Sequence, residues 1–242
     1  MDEPLSKNRV SKAGKRLRDH VRAGGELGDV CAGHQLEADL VVAQRFRSEF
    51  APPMLKVNVR LRQIIASGNF DASAPTQRHK RLERIIQKLA RPNSTDLARI
   101  QDIAGLRVIV PSIAEARRLE QDLRKRWSGR EATEIRPSAC RDYIAEPKSN
   151  GYRAIHLITE RDARLVELQI RTANQQFWAD CVERVSDEIG AELKSAEGPP
   201  EVEEFFIEAG EMVARLDAGD TFSATLSLIL EGRTIMTISV DE

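Results

Sequence analysis

The chain has 242 residues, 41% of them hydrophobic and 31% charged, with a formal net charge of -1; it can bury a real core and should form one compact domain with short appendages. No apolar run approaches the roughly 20 residues that cross a bilayer, and the N-terminal MDEPLSKNRV has no apolar stretch after its charges, which points to a cytoplasmic protein without anchor or signal peptide. Cys31, Cys140 and Cys181 are odd in number and far apart, so they fit neither a disulfide framework nor a CxxC metal pair.

In chain order, residues 1–23 carry seven Lys or Arg against three acids, whereas 183–211 carry ten acids against Arg184 and Lys194. A basic segment on a near-neutral protein suits a polyanion; the competing reading is a solvated helix that turns Val10, Leu17 and Val21 inward. LEADLVVAQRFRSEF and LKVNVRLRQII have helical apolar spacing and are separated by Pro52 and Pro53. The stretch SGNFDASAPT follows as a loop. Over 78–91 the spacing predicts one helix, with Leu82, Ile85, Ile86 and Leu89 on one stripe and Lys80, Arg84, Lys88 and Arg91 on another, ended by Pro92.

GLRVIVPS then reads as a buried strand and IAEARRLEQDLRKRW as a helix crossing back over the sheet. The loop EPKSNGYRAIH leads into YRAIHLITE and RLVELQIR, two strands of a hairpin joined by RDA. On the second strand Glu167, Gln169 and Arg171 project together, opposite Val166, Leu168 and Ile170; on the first, Tyr152 and His156 share a face. A helix with Trp178, Val182, Val185, Ile189 and Leu193 as its core stripe follows, and the acidic segment to about 217 also reads as helical. The tail FSATLSLILEGRTIMTISVDE alternates around a Glu-Gly turn and predicts a hairpin.

RIQDIAGLRVIV, RDYIAEPKSNGYRAIHL and VELQIRT, in that order, resemble the motifs of the RelA/SpoT synthetase family, which transfers diphosphate from ATP to a ribose 3′-hydroxyl. The resemblance runs from about residue 35 to 215. It divides the chain into a basic N-terminal arm (1–34), a pyrophosphokinase domain (35–217) and a C-terminal tail (218–242). With the strand and helix pattern it implies an α+β fold of the RelA/SpoT, nucleotidyltransferase-like kind: a mixed, mostly antiparallel sheet flanked by helices.

The resemblance also assigns chemistry. ATP is the donor and Mg²⁺ the cofactor, held by the catalytic carboxylates Asp102 and Glu167, with Glu167 assisting deprotonation of the 3′-hydroxyl. Taken alone, Asp102 reads as a loop cap and Glu167 as a solvent-facing strand residue. In RHKRLERIIQK, Arg78, Lys80 and Lys88 match the donor motif on one helix; Arg78 and Arg107 would sandwich the adenine, and Lys80 and Lys88 would meet phosphates. Arg84 occupies the position of the family's serine. The EPKSNGYRAIH loop becomes the acceptor site: Gly151 permits close backbone approach, Lys148 and Arg153 face the acceptor's phosphates, and Tyr152 offers a stacking ring. His156, Gln169 and Arg171 complete it. Asn150 belongs to it as well, or is only the turn residue its neighbour demands.

Which acceptor is used stays open at this level. The sequence has no His-Asp dipeptide, the mark of the family's hydrolase domain, so synthesis is expected to stand alone. SKNRVSKAGKRLR resembles the single-domain branch that includes toxic small alarmone synthetases, some of which modify the tRNA 3′ end. That resemblance favours tRNA as acceptor, with Lys12, Lys15 and Arg16 as RNA contacts and a separately encoded antitoxin as partner, because a polynucleotide rewards charge outside the pocket. The alternatives are GDP or GTP as acceptor, giving (p)ppGpp, and an inactive nucleotide- or RNA-binding module. A second copy of the chain is a further partner to consider.

Overall fold

The computed structural model describes residues 5–29, 35–92, 94–129, 132–189 and 199–241. Its helices are α1 (Lys7–Arg22), α2 (Gln35–Ser48), α3 (Ala51–Ser67), α4 (Leu82–Ala90), α5 (Ile113–Arg126), α6 (Ala173–Ile189) and α7 (Pro200–Ala218). The strands are β1 (Thr76–His79), β2 (Ala104–Val110), β3 (Thr133–Ile135), β4 (Arg141–Asp142), β5 (Ile155–Arg161), β6 (Arg164–Thr172), β7 (Ala224–Leu230) and β8 (Arg233–Val240). The main sheet runs β1-β2-β6-β5-β3, with β4 also on β5. Only β2 and β6 pair in parallel; the other pairings are antiparallel. The α+β class and the mixed, mostly antiparallel sheet are as expected.

Burial alternates along β2, so that Ala104, Leu106, Val108 and Val110 are buried while Gly105, Arg107 and Ile109 are less so. Val166, Leu168 and Ile170 of β6 join the same main core, together with residues of α1 to α5. The opposite sheet face is left to Arg107, Glu167, Gln169 and His156. A second core gathers Trp178, Val182 and Val185 of α6, Val202, Phe205 and Phe206 of α7, and Leu228 and Ile238 of the β7–β8 hairpin. Leu193, expected on the α6 stripe, lies outside the described residues. Both hairpin turns take two residues at positive φ, Asp162-Ala163 and Glu231-Gly232, the backbone that closes a right-twisted two-residue turn. Pro52 and Pro53 do separate two helices, but they do so from within the first turn of α3, where their missing N–H groups cost nothing.

Two sequence expectations change. The helix over 78–91 begins only at Leu82, because Thr76–His79 pair with β2 and the Lys80 N–H donates to the Ile103 carbonyl at 2.9 Å. Strand pairing here overrides a helical periodicity that spans only three turns. The N-terminal segment is not a free arm: α1 buries Val10, Ala13 and Leu17 in the main core. Arg16 spends its guanidinium on Asp39, which is 2% exposed, through hydrogen bonds of 2.6 and 2.7 Å. Arg22 donates to the Ala90 and Arg91 carbonyls. Lys12 and Lys15 remain exposed. Because Leu17 is fully buried, Leu17→Ala should cost about 2–5 kcal/mol of global stability, read from a urea denaturation midpoint; an unchanged midpoint would mean that α1 undocks freely.

Candidate active site

The donor side is built where β1, the start of α4 and the approach to β2 meet. Asp102 stands just ahead of β2, and two lysines grip it: Lys80 Nζ lies 2.8 Å from one carboxylate oxygen and Lys88 Nζ 2.8 Å from the other. Burial works to raise the Asp102 carboxyl, but the two ammoniums outweigh it and hold the group down to about 2. Burial acts on Lys80 as well and lowers it, with Asp102 offsetting only part of the effect. The two lysines expected on phosphates therefore rest on the carboxylate in the ligand-free chain.

Arg78 sits on β1, not on the donor helix, directly across from Gly105, which in turn is across from Glu167. No side chain at Gly105 stands between them. The next row across the sheet reads Thr76, Arg107, Gln169, His156. Strand register thus places both expected adenine-flanking arginines near Glu167. Arg78 makes a long, exposed ion pair with Glu183 of α6, 3.6 Å apart, of the kind worth little in water. Arg107 and Arg153 differ: each buries its Nε with no hydrogen-bond partner. Arg161, Arg164 and Arg171 each bury an unpaired Nε as well, and a buried donor without a partner is costly.

On the acceptor side, two hydrogen-bond chains start at Arg171 and end on the two oxygens of Glu167. In one, Arg171 Nη2 donates to the Tyr152 hydroxyl at 2.8 Å, the hydroxyl hydrogen-bonds His156 Nε2 at 2.6 Å, and His156 Nδ1 donates to Glu167 Oε1 at 2.8 Å. In the other, Arg171 Nη2 donates to Gln169 Oε1 at 2.9 Å and Gln169 Nε2 to Glu167 Oε2 at 2.8 Å. The carboxylate can only accept, so His156 Nδ1 and Gln169 Nε2 are the donors to it. Burial works to raise the Glu167 carboxyl, yet the His156 and Gln169 hydrogen bonds prevail and leave it below its ordinary value. The glutamate is thus ionised and aimed. Arg171 is itself held by Gln176 of α6 at 3.0 Å.

The loop departs from expectation at Tyr152 and Gly151, and Asn150 takes the second of its two readings. The Tyr152 ring is not an open platform: it meets Tyr143, His156 and Trp178 edge-on, and Lys148 Nζ stands 5.0 Å over its face. Asn150 plays the turn role, its side-chain oxygen accepting the Tyr152 N–H at 3.2 Å. Gly151, at φ +86°, uses its freedom for a close approach to α7. Lys148 also lies 4.7 Å over the Tyr143 ring, and the charges of Glu167, Lys88, Arg171 and Asp102 all act on it, so donor and acceptor groups share one site. Tyr143, Gln176 and Glu183 were missed in the sequence. Tyr143 stood in the RDYIAEPK motif beside the loop; Gln176 and Glu183 carried no local signal.

Among the described residues no cluster of three or more His, Cys, Asp or Glu is placed to hold a metal. Mg²⁺ asks for less, one or two carboxylates completed by nucleotide phosphates and water. The charge of Asp102 acts on Glu167, and both carboxylates are hard oxygen donors of the type this ion takes, so the residue types present fit it.

Comparison with known proteins matches this arrangement. Residues 77–185 match the model of a region found in RelA/SpoT proteins. The chain is 29% identical over 153 residues to the GTP pyrophosphokinase YwaC of Bacillus subtilis, covering 58% of this chain and 68% of that protein. It is 31% identical over 200 residues to an uncharacterised protein of Mycobacterium tuberculosis, covering 82% of this chain and 65% of that one. The structure of small alarmone synthetase 1 from B. subtilis bound to its product pppGpp superposes with a TM-score of 0.60 at 26% identity, over 73% of this chain and 93% of the other. Residues 77–185 thus carry a region of the RelA/SpoT kind, and the relatives and structural neighbours support a pyrophosphokinase of that type.

Proposed function

We propose that the chain transfers a diphosphate from ATP to the 3′-hydroxyl of GDP or GTP, making (p)ppGpp. The observation that carries this reading is Glu167, held ionised at the end of two hydrogen-bond chains and within reach of the Asp102 charge. Asp102 and Glu167 would hold Mg²⁺, which when bound neutralises the triphosphate and makes its phosphorus more electrophilic. Arg78 and Arg107 flank the adenine, and Lys80 and Lys88 turn from Asp102 onto phosphate oxygens. Glu167 accepts the 3′-hydroxyl proton as that oxygen bonds to the β-phosphorus of ATP; the bond from this phosphorus to the bridging oxygen breaks, and AMP leaves with that oxygen. Lys148 and Arg153 meet the acceptor's phosphates. Stacking of its base on Tyr152 requires Lys148 to lift off the ring.

Relatives named for GTP, and one solved with pppGpp, favour a guanosine nucleotide over the tRNA 3′ end. The basic N-terminus had argued for tRNA, but Arg16 and Arg22 are engaged within the fold. Incubation with ATP labelled in its β-phosphate, in parallel with GDP, GTP and deacylated tRNA, tests the reading. Label should pass to the nucleotide. Label on tRNA alone would restore the toxin reading with its antitoxin partner, and label nowhere would indicate an inactive binding module.

A further inference from the structure

We infer that α7 is a positioning element for the acceptor loop, acting through a backbone contact between Gly151 and Gly210; the inference rests on the acceptor-site reading above. Gly210 lies inside α7 on its buried face, beside Phe206 and Val213. Glycine weakens a helix interior, yet here the missing Cβ is what admits the loop. A Cβ on Gly210 would stand 2.7 Å from the Gly151 carbonyl oxygen, 2.8 Å from its Cα and 3.1 Å from its carbonyl carbon. From the other side, a Cβ on Gly151 would stand 2.7 Å from the Phe206 carbonyl oxygen and 3.3 Å from the Cα atoms of Gly210 and Ile207. These obstacles are backbone atoms, which cannot rotate aside as a side chain can.

The same helix is tied to the catalytic strand. Asp217 of α7 accepts hydrogen bonds from Thr172 Oγ1, Asn174 Nδ2 and Gln175 Nε2 at 2.8, 2.9 and 2.9 Å, where β6 passes into α6. Trp178 Nε1 donates to the Phe206 carbonyl at 2.9 Å, and the Trp178 ring meets Tyr152 edge-on at 5.9 Å. Within the loop, the Gly151 N–H donates to the Lys148 carbonyl and the Lys148 N–H to that of Tyr152. A shift at Gly151 therefore moves Lys148 and Tyr152 together. One helix sets the loop against the strand that carries Glu167 and Arg171.

Gly210→Ala tests this, with Gly219→Ala as its control. Gly219 closes the C-terminal end of α7 at φ +87° with nothing within 4 Å of a Cβ, so alanine there strains the helix end without touching the loop. G210A should raise KM for GDP about tenfold or more while KM for ATP stays within about twofold. G219A should lower the melting temperature and leave both values alone. If KM for GDP follows the melting temperature in both variants, α7 is only structural and the inference fails. Hydrogen exchange on the ligand-free protein gives a readout that does not depend on the acceptor. G210A should speed exchange at Lys148 and Gly151, and G219A should not. An exchange response in a chain that leaves GDP unlabelled would support the positioning role and count against the acceptor reading alone. Should G210A not fold, the wild type decides: loop and α7 amides that open together support the contact, and a loop that exchanges freely beside a protected α7 overturns it.

Discussion

Glu167→Gln should lower kcat by about 10²–10⁴-fold, the range a positioned proton acceptor contributes, while the fold survives. Glu167 lies on the sheet face opposite the buried Val166, Leu168 and Ile170, so the change does not open the core. Its carboxylate accepts from both His156 Nδ1 and Gln169 Nε2, whereas an amide turns its own NH₂ toward one of those donors. One hydrogen bond is then lost, at about 1 kcal/mol. Turnover of labelled ATP and a thermal melt on the same preparation check this. A folded Gln variant with wild-type kcat would remove Glu167 from the mechanism. The pH profile offers a second check: because the folded-state carboxyl lies below its ordinary value, Glu167 remains ionised throughout the neutral range, and acid below that value is needed to switch it off.

Asp102→Asn should abolish measurable transfer and also change how stability depends on pH. An asparagine loses the charge that is proposed to hold Mg²⁺ and that Lys80 and Lys88 both contact; several kcal/mol of lost charge stabilisation corresponds to a rate loss on the order of 10³-fold or more. The sign of the stability effect follows from the depressed carboxyl. A group at about 2 when folded and near its ordinary 3.8 when unfolded stabilises the fold above about pH 4. That contribution, about 2 kcal/mol, disappears as the pH falls from about 4 toward 2. In D102N this component is absent at every pH. Urea midpoints of both proteins at pH 7 and pH 3 should therefore differ more at pH 7 than at pH 3. Curves that run parallel would show that the lysine grip on Asp102 adds nothing to the fold.

The parts of the site that lie along one strand were legible in the sequence. Alternation alone placed Glu167, Gln169 and Arg171 on one face of β6, since side chains in a strand project with a period of two. Turn residues marked both hairpins, whereas Tyr152 lies ahead of β5, which begins at Ile155, and meets His156 from the loop and not by strand alternation. Arg78 was misplaced because a three-turn helical stripe and a four-residue edge strand look alike until the partner strand is known. Its register against Gly105 is a property of the sheet and not of the segment.

By itself the sequence determined the apolar stripes, the faces of β6 and the proline-marked start of α3, because each depends on residues within a few positions of one another. Only the tertiary structure decided that Lys80 and Lys88 close on Asp102, that Arg16 is spent on Asp39, that Tyr152 hydrogen-bonds His156 instead of offering a bare ring, and that Gly151 meets Gly210. Several of these contacts join residues tens of positions apart, and in each, burial decides between partners that a linear sequence leaves equivalent: a desolvated charge or hydroxyl must find its complement among the groups the fold brings within about 3 Å.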